Sequence, residues 1–175
     1  MPIKSLIRTI PHDPKQGVMF RDITTLLKDP AGFKLTIDRL AARYRGERVD
    51  KVAGIEARGF IIAAPLAFAL GVGFVPLRKR GRLPGPTAGH DYELEYGTDR
   101  IEIHVDAIAA GERILVADDL VATGGTAEAA IRLIEGAGGS VAGCCFVIEL
   151  PDLGGRKRLE ALGHPLLALC AFEGH

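Results

Sequence analysis

The chain has 175 residues, enough for one domain that buries well over half of its unfolded surface. Lysine plus arginine and aspartate plus glutamate number 22 each, so no overall basic bias points to nucleic acid or to a membrane surface. Cys144, Cys145 and Cys170 form an odd set without metal-ligand spacing, which reads as reduced core thiols of a cytoplasmic chain.

Residues 2–9 are predicted to be helical, and Met1 to Ile10 holds no apolar run of the length a signal peptide needs. Residues 10–29, with Pro11, Pro14 and Gly17, read as mostly irregular. Residues 30–45 read as an amphipathic helix with Phe33, Ile37, Leu40 and Ala41 on one face. A strand is expected over Lys51 to Ile55. From Gly59 to Leu77 nineteen residues carry no charge, close to the ~20 that span a bilayer as a helix. Pro65, Gly71, Gly73 and Pro76 punctuate that run, and Gly71 is placed as a helix stop. The run therefore reads as a buried helix over 59–70 and a strand over 72–77.

Polar, glycine-rich sequence fills 78–97, with a strand at 100–104 beyond it. A strand at 113–118 and a helix at 126–136 come next, the helix stopped by Gly136, Gly138 and Gly139. An apolar strand at 140–149, a short basic helix at 154–162 and a strand at 165–170 complete the chain. Helices alternating with apolar strands indicate an α/β domain with a mainly parallel central sheet. Ligands of such sheets bind beyond the carboxyl ends of strands. Loops 56–58, 78–97 and 119–125 all follow such ends and should converge on one site.

The richest segment is Ile114-Leu-Val-Ala-Asp118-Asp119-Leu-Val-Ala122-Thr123-Gly124-Gly125-Thr126. A turn that opens a helix presents unpaired N–H groups at the positive end of the dipole, where an anion binds. Gly124 and Gly125 let the backbone approach a phosphate, and Thr123 and Thr126 add hydroxyl donors. Asp118 and Asp119 repel an anion, so they must face sugar hydroxyls or a cation. A phosphate cradle beside two carboxylates is a receptor for a sugar phosphate. No lysine follows Gly125 as in a Walker loop, and no Gly-x-Gly-x-x-Gly follows a strand near the N-terminus, which argues against a nucleotide triphosphatase or dinucleotide enzyme.

This segment resembles the phosphoribosyl-pyrophosphate signature of the type I phosphoribosyltransferases. Four further segments narrow the resemblance to the adenine-using members: Gly17-Val-Met19-Phe20-Arg21-Asp22-Ile23, Glu56-Ala57-Arg58-Gly59-Phe60, Arg78-Lys79-Arg80-Gly81-Arg82-Leu83-Pro84 and Leu94-Glu95-Tyr96-Gly97. Ala117, where a larger aliphatic is usual, and Arg82, where lysine is common, depart from the pattern without removing a charge. The resemblance covers the chain from about residue 10 and implies the type I phosphoribosyltransferase fold in one domain, 1–175. Within it, residues 1–29 become an N-terminal base-recognition segment and 78–97 a flexible lid loop.

The roles implied follow motif by motif. Asp118 and Asp119 hold ribose hydroxyls, and Ala122, Thr123, Gly124, Gly125 and Thr126 hold the 5′-phosphate. Arg58, Lys79 and Arg82 meet pyrophosphate. Phe20 stacks on the base, with main-chain groups of Met19 and Arg21 beside it. Glu95, equally readable as a surface acid, takes or orients the purine proton with Tyr96 next to it. The reaction implied is purine salvage: adenine displaces pyrophosphate from phosphoribosyl pyrophosphate and AMP forms. Mg2+ is expected to bind mainly through the substrate, since no cluster has the spacing of a protein-held metal site. A cytoplasmic homodimer with no nucleic-acid or membrane partner is also implied. Two alternatives stay open: a related enzyme for hypoxanthine or xanthine, and a non-catalytic sensor of phosphoribosyl pyrophosphate. The five histidines show no spacing that suggests a triad.

Overall fold

The computed structural model describes residues 2–94 and 96–174. Its first strands, β1 (Arg8–Pro11) and β2 (Met19–Asp22), pair antiparallel in a small sheet of their own. Next come α1 (Thr24–Leu27) and α2 (Pro30–Tyr44). Asp29 caps α2 by accepting from the N–H groups of Ala31 and Gly32 at 3.1 and 3.4 Å, and Pro30 sets the first turn. The order continues β3 (Lys51–Ile55), α3 (Arg58–Leu70), β4 (Gly73–Lys79), β5 (Thr87–Glu93), β6 (Thr98–His104), β7 (Arg113–Val121), α4 (Gly125–Gly136), β8 (Ser140–Glu149), α5 (Gly155–Ala161) and β9 (Leu166–Ala171).

The main sheet has seven strands in the order β5-β6-β4-β3-β7-β8-β9. From β4 to β9 all neighbours are parallel, while β6 runs antiparallel to both β4 and β5. Each central strand is buried on both faces, which is why its apolar run is continuous. On β7, Ile114 and Val116 pack towards α4 through Ala127, Ile131 and Ile134. Leu115 and Ala117 pack on the other face against Ile62, Leu66 and Leu40 of α3 and α2. Cys144 and Cys145 follow the same alternation, one in each core. Burial pushes the Cys144 thiol up to about 12 and the Cys145 thiol higher still.

The sheet and its flanking helices match the expected α/β class; several local expectations need correction. A helix does not fill residues 2–9: only Ile3–Leu6 turn, as a 3-10 helix, before β1. The β-branched Thr9 and Ile10 suit a strand once a partner is available, and Phe20 and Arg21 supply it. Residues 10–29 accordingly hold β2 and α1 in place of mostly irregular chain. Nor are 78–97 a bare loop, because β4 continues to Lys79 and Thr87–Glu93 forms β5 on the sheet edge. Finally, α3 is buried on one face only, with Ile61 and Phe68 exposed on the other.

Candidate active site

The carboxyl ends of β3, β4 and β7 lie side by side, as the parallel register requires. Between them opens a cleft of about 660 Å³ whose walls carry Arg58, Lys79, Arg82, Asp118, Asp119 and Thr126. Three loops distant in sequence therefore meet at one place. A smaller cavity of about 170 Å³ adjoins it, framed by residues 120–127 with Asp118 and Phe146.

The two acids differ in their surroundings. Asp119 is buried, and its Oδ2 accepts a 2.7 Å hydrogen bond from Arg58 Nε. Asp118 Oδ1 accepts the Asp119 N–H at 2.8 Å. A Cβ on Gly59 would stand 2.6 Å from that same Asp118 oxygen, so α3 can approach β7 here only through a glycine. Burial, reinforced by the neighbouring Asp119 carboxylate, pushes the Asp118 carboxyl well above the usual carboxylate range.

The turn after β7 has the shape an anion needs. Gly124 enters α4 at φ 86°, in the left-handed region, and Thr123 Oγ1 accepts the Gly125 N–H at 3.4 Å. Behind the turn, Gly155 N–H donates to the Ala122 carbonyl at 3.0 Å, so α5 braces the loop. The basic run is divided. Glu56 Oε1 accepts from Arg78 Nε at 3.2 Å and from the Lys79 N–H at 2.6 Å, and Arg80 lies 3.9 Å from Asp91. Lys79 Nζ sits 3.6 Å from Asp99, whose Oδ2 also accepts from Tyr92 OH at 3.4 Å. Lys79 and Arg82 remain on the cleft wall.

On the opposite side, the Arg58 guanidinium carbon lies 5.2 Å from the centre of the Phe20 ring. One arginine thus reaches both the Phe20 ring and an acid of the pair. Arg21 turns its side chain elsewhere: Nη1 donates to Thr9 Oγ1 at 2.7 Å, Nη2 to the Glu173 carbonyl at 3.2 Å, and the guanidinium covers Phe172 at 4.5 Å. In the β1–β2 ladder Arg21 lies opposite Thr9 and Met19 opposite Pro11.

The family description Phosphoribosyl transferase domain matches residues 23–162. An adenine phosphoribosyltransferase of Nitrosomonas europaea is 65% identical over 173 residues, 99% of each chain. The chain belongs to the adenine phosphoribosyltransferase family. Among solved structures, the adenine phosphoribosyltransferase of Thermoanaerobacter pseudethanolicus superposes with a TM-score of 0.93 at 50% identity, covering 97% of this chain and 98% of that one. The Saccharomyces cerevisiae enzyme, solved with adenine and an imino-altritol bisphosphate, gives 0.89 at 38% identity over 95% and 96% of the two chains. The fold is the type I phosphoribosyltransferase fold of that family.

Against the family pattern, Arg58, Lys79, Arg82, Asp118, Asp119 and Thr126 stand around one cleft. Ala122, Thr123, Gly124 and Gly125 frame the smaller cavity beside it. Tyr96 is separate: it is 81% exposed, with Lys15 Nζ 5.9 Å from its ring. Glu95 lies outside the described residues. Glu56, Tyr92 and Asp99, to which the sequence motifs assign no role, also line the cleft. Glu56 opens the segment Glu56-Ala57-Arg58-Gly59-Phe60, which is its one local signal. Tyr92 and Asp99 face each other only through the β5–β6 register, which no local pattern announced.

Proposed function

We propose that the chain transfers the 5-phosphoribosyl group from phosphoribosyl pyrophosphate to adenine, giving AMP and pyrophosphate in purine salvage. The observation that carries this reading is Arg58, whose guanidinium spans from the Phe20 ring to Asp119. Base platform, ribose acids and pyrophosphate cations are thereby joined at one residue. Relatives across the full chain are named for the same activity.

In this reading the bond from the ribose anomeric carbon to pyrophosphate breaks with its electron pair, and an imidazole nitrogen of adenine bonds to that carbon. The sugar passes through a cation-like state, which nearby carboxylates and cations on the leaving group both favour. Asp118 and Asp119 take the ribose hydroxyls, while Ala122 to Thr126 take the 5′-phosphate on the α4 N-terminus. Arg58 is half exposed and can meet pyrophosphate with the nitrogens that Asp119 does not engage, beside Lys79 and Arg82. Met19 and Arg21 offer main-chain groups to adenine next to Phe20. Glu95 receives the purine proton, with Tyr96 alongside it. The segment 78–97 acts as a lid that closes over the cleft and excludes water.

Among the described residues no group of three or more His, Cys, Asp or Glu side chains is placed to hold a metal ion. Mg2+ would be bound mainly through phosphoribosyl pyrophosphate, with Asp118 and Asp119 as the carboxylates on the cleft wall, and would supply positive charge to the leaving group. A cytoplasmic homodimer completes the proposal, and sedimentation of the purified protein measures its mass. No described helix is long and apolar enough to cross a membrane.

The deciding assay supplies phosphoribosyl pyrophosphate, Mg2+ and each purine base in turn, and reads pyrophosphate release. Release with adenine is expected. Release with hypoxanthine or xanthine alone would assign the chain to the other purines, and binding of phosphoribosyl pyrophosphate without turnover would mark a sensor.

A further inference from the structure

The phosphate loop, Ala122-Thr123-Gly124-Gly125-Thr126, contains no cation. A bound sugar phosphate brings close to two negative charges at neutral pH. A carboxylate already stands beside that position, because Glu128 occupies the first turn of α4. Dipole and backbone donors at one helix end have to hold an anion next to a like charge, so a nearby cation is needed.

Arg158 of α5 is placed to supply it. Its Nε donates to Glu128 Oε1 at 2.7 Å, and this bond holds the Glu128 carboxyl below the usual range. Arg158 Cδ lies 3.4 Å from the Cβ position of Gly124, and Nη1 lies 3.5 Å from that of Gly125. The paired glycines thus give room to this side chain as well as to a ligand. The described residues offer Nη1 and Nη2 no hydrogen-bond acceptor. A second cleft, of about 980 Å³, has Arg158 on its wall together with Thr123, Gly125 and Thr126.

We propose that Arg158 binds the 5′-phosphate of the substrate: Glu128 fixes the guanidinium through Nε, and the Nη groups meet the phosphate at the loop. A planar fork held at one edge presents its other edge in a set direction, which is what phosphate recognition requires. The assignment rests on the phosphate-loop reading of the proposed function and adds to it a cation from 30 residues beyond Glu128.

The test compares AMP with adenosine, which lacks the phosphate, by calorimetric titration of wild type, Arg158→Ala and Arg158→Met. The methionine keeps an unbranched stem against Gly124 and removes only the charge and donors. Loss of hydrogen bonds to a charged group predicts AMP binding weakened roughly ten- to hundredfold in both variants, with adenosine binding unchanged. Undiminished AMP affinity would overturn the assignment. Equal weakening of AMP and adenosine would overturn it too, because it would place Arg158 in the scaffold. If wild type binds neither AMP nor phosphoribosyl pyrophosphate, the functional reading itself fails, and this assignment with it.

Discussion

Asp118 and Asp119 are adjacent in sequence, yet their side chains meet different neighbours. Asp119 has the Arg58 guanidinium at 2.7 Å. The Asp118 side chain of β7 is pressed against Gly59 of α3, and loss of solvent raises its pKa. A carboxyl whose folded pKa lies above its unfolded value binds protons more readily in the folded state. Stability is then lost as pH rises from the unfolded carboxylate range through the folded pKa. Asp118→Asn removes that ionisation while keeping an oxygen for the Asp119 N–H. The expected melting temperature near neutral pH equals or exceeds that of wild type, and turnover falls roughly ten- to hundredfold if a charged hydrogen bond to ribose is lost. Calorimetry and pyrophosphate release check the two halves; a lower melting temperature with full turnover would contradict both. The acids were legible because their motif is contiguous. The demand for glycine at 59 was not, since it comes from a strand far along the chain.

At the scale of elements, legibility followed burial. β3, β7 and β8 pack on both faces, so their apolar runs mark them whatever their neighbours. β5 reads Thr-Ala-Gly-His-Asp-Tyr-Glu, with no residue fully buried, and exists by pairing with β6. Its backbone also passes under the Arg100 side chain, where any Cβ on Gly89 would collide. The β1–β2 hairpin was hidden for a related reason: its anchor is the far end of the chain. Phe172 lies between Lys4 and Arg21, whose charged groups stand 4.7 and 4.5 Å from its ring centre. Phe172→Leu keeps an apolar side chain but removes both cation–π contacts, each worth about 0.5–1 kcal/mol when exposed. If the hairpin carries the adenine platform, KM for adenine should rise severalfold while KM for phosphoribosyl pyrophosphate stays within twofold. Steady-state kinetics with each substrate varied separately checks this, and equal changes in both would sever the hairpin from base recognition.

For the molecule as a whole, net charge is zero, so attraction of an anionic substrate has to come from where the charges sit. Arg58, Lys79 and Arg82 gather on one cleft, although each acid nearby offsets part of their field: Asp119 faces Arg58 and Asp99 faces Lys79. Glu56 and Asp118 stand on the same walls, but the cations are the more exposed groups, Arg58 at 50% and Lys79 at 56% against 10% for Asp119 and 25% for Asp99, so an approaching anion meets them first. Salt shortens the reach of their field, from about 10 Å at 0.1 M to about 3 Å at 1 M. Adenine carries no charge at neutral pH, and phosphoribosyl pyrophosphate carries several. Raising salt over that range should therefore increase KM for phosphoribosyl pyrophosphate severalfold and leave KM for adenine within twofold. Lys79→Ala combined with Arg82→Ala should flatten the salt dependence, because it removes the exposed part of the field and leaves the Arg58–Asp119 pair in place. A slope unchanged by the double substitution would locate the attraction elsewhere on the surface. A parallel rise in both KM values would mean that salt acts on the packing of the base hairpin, since screening alone cannot discriminate against a neutral base.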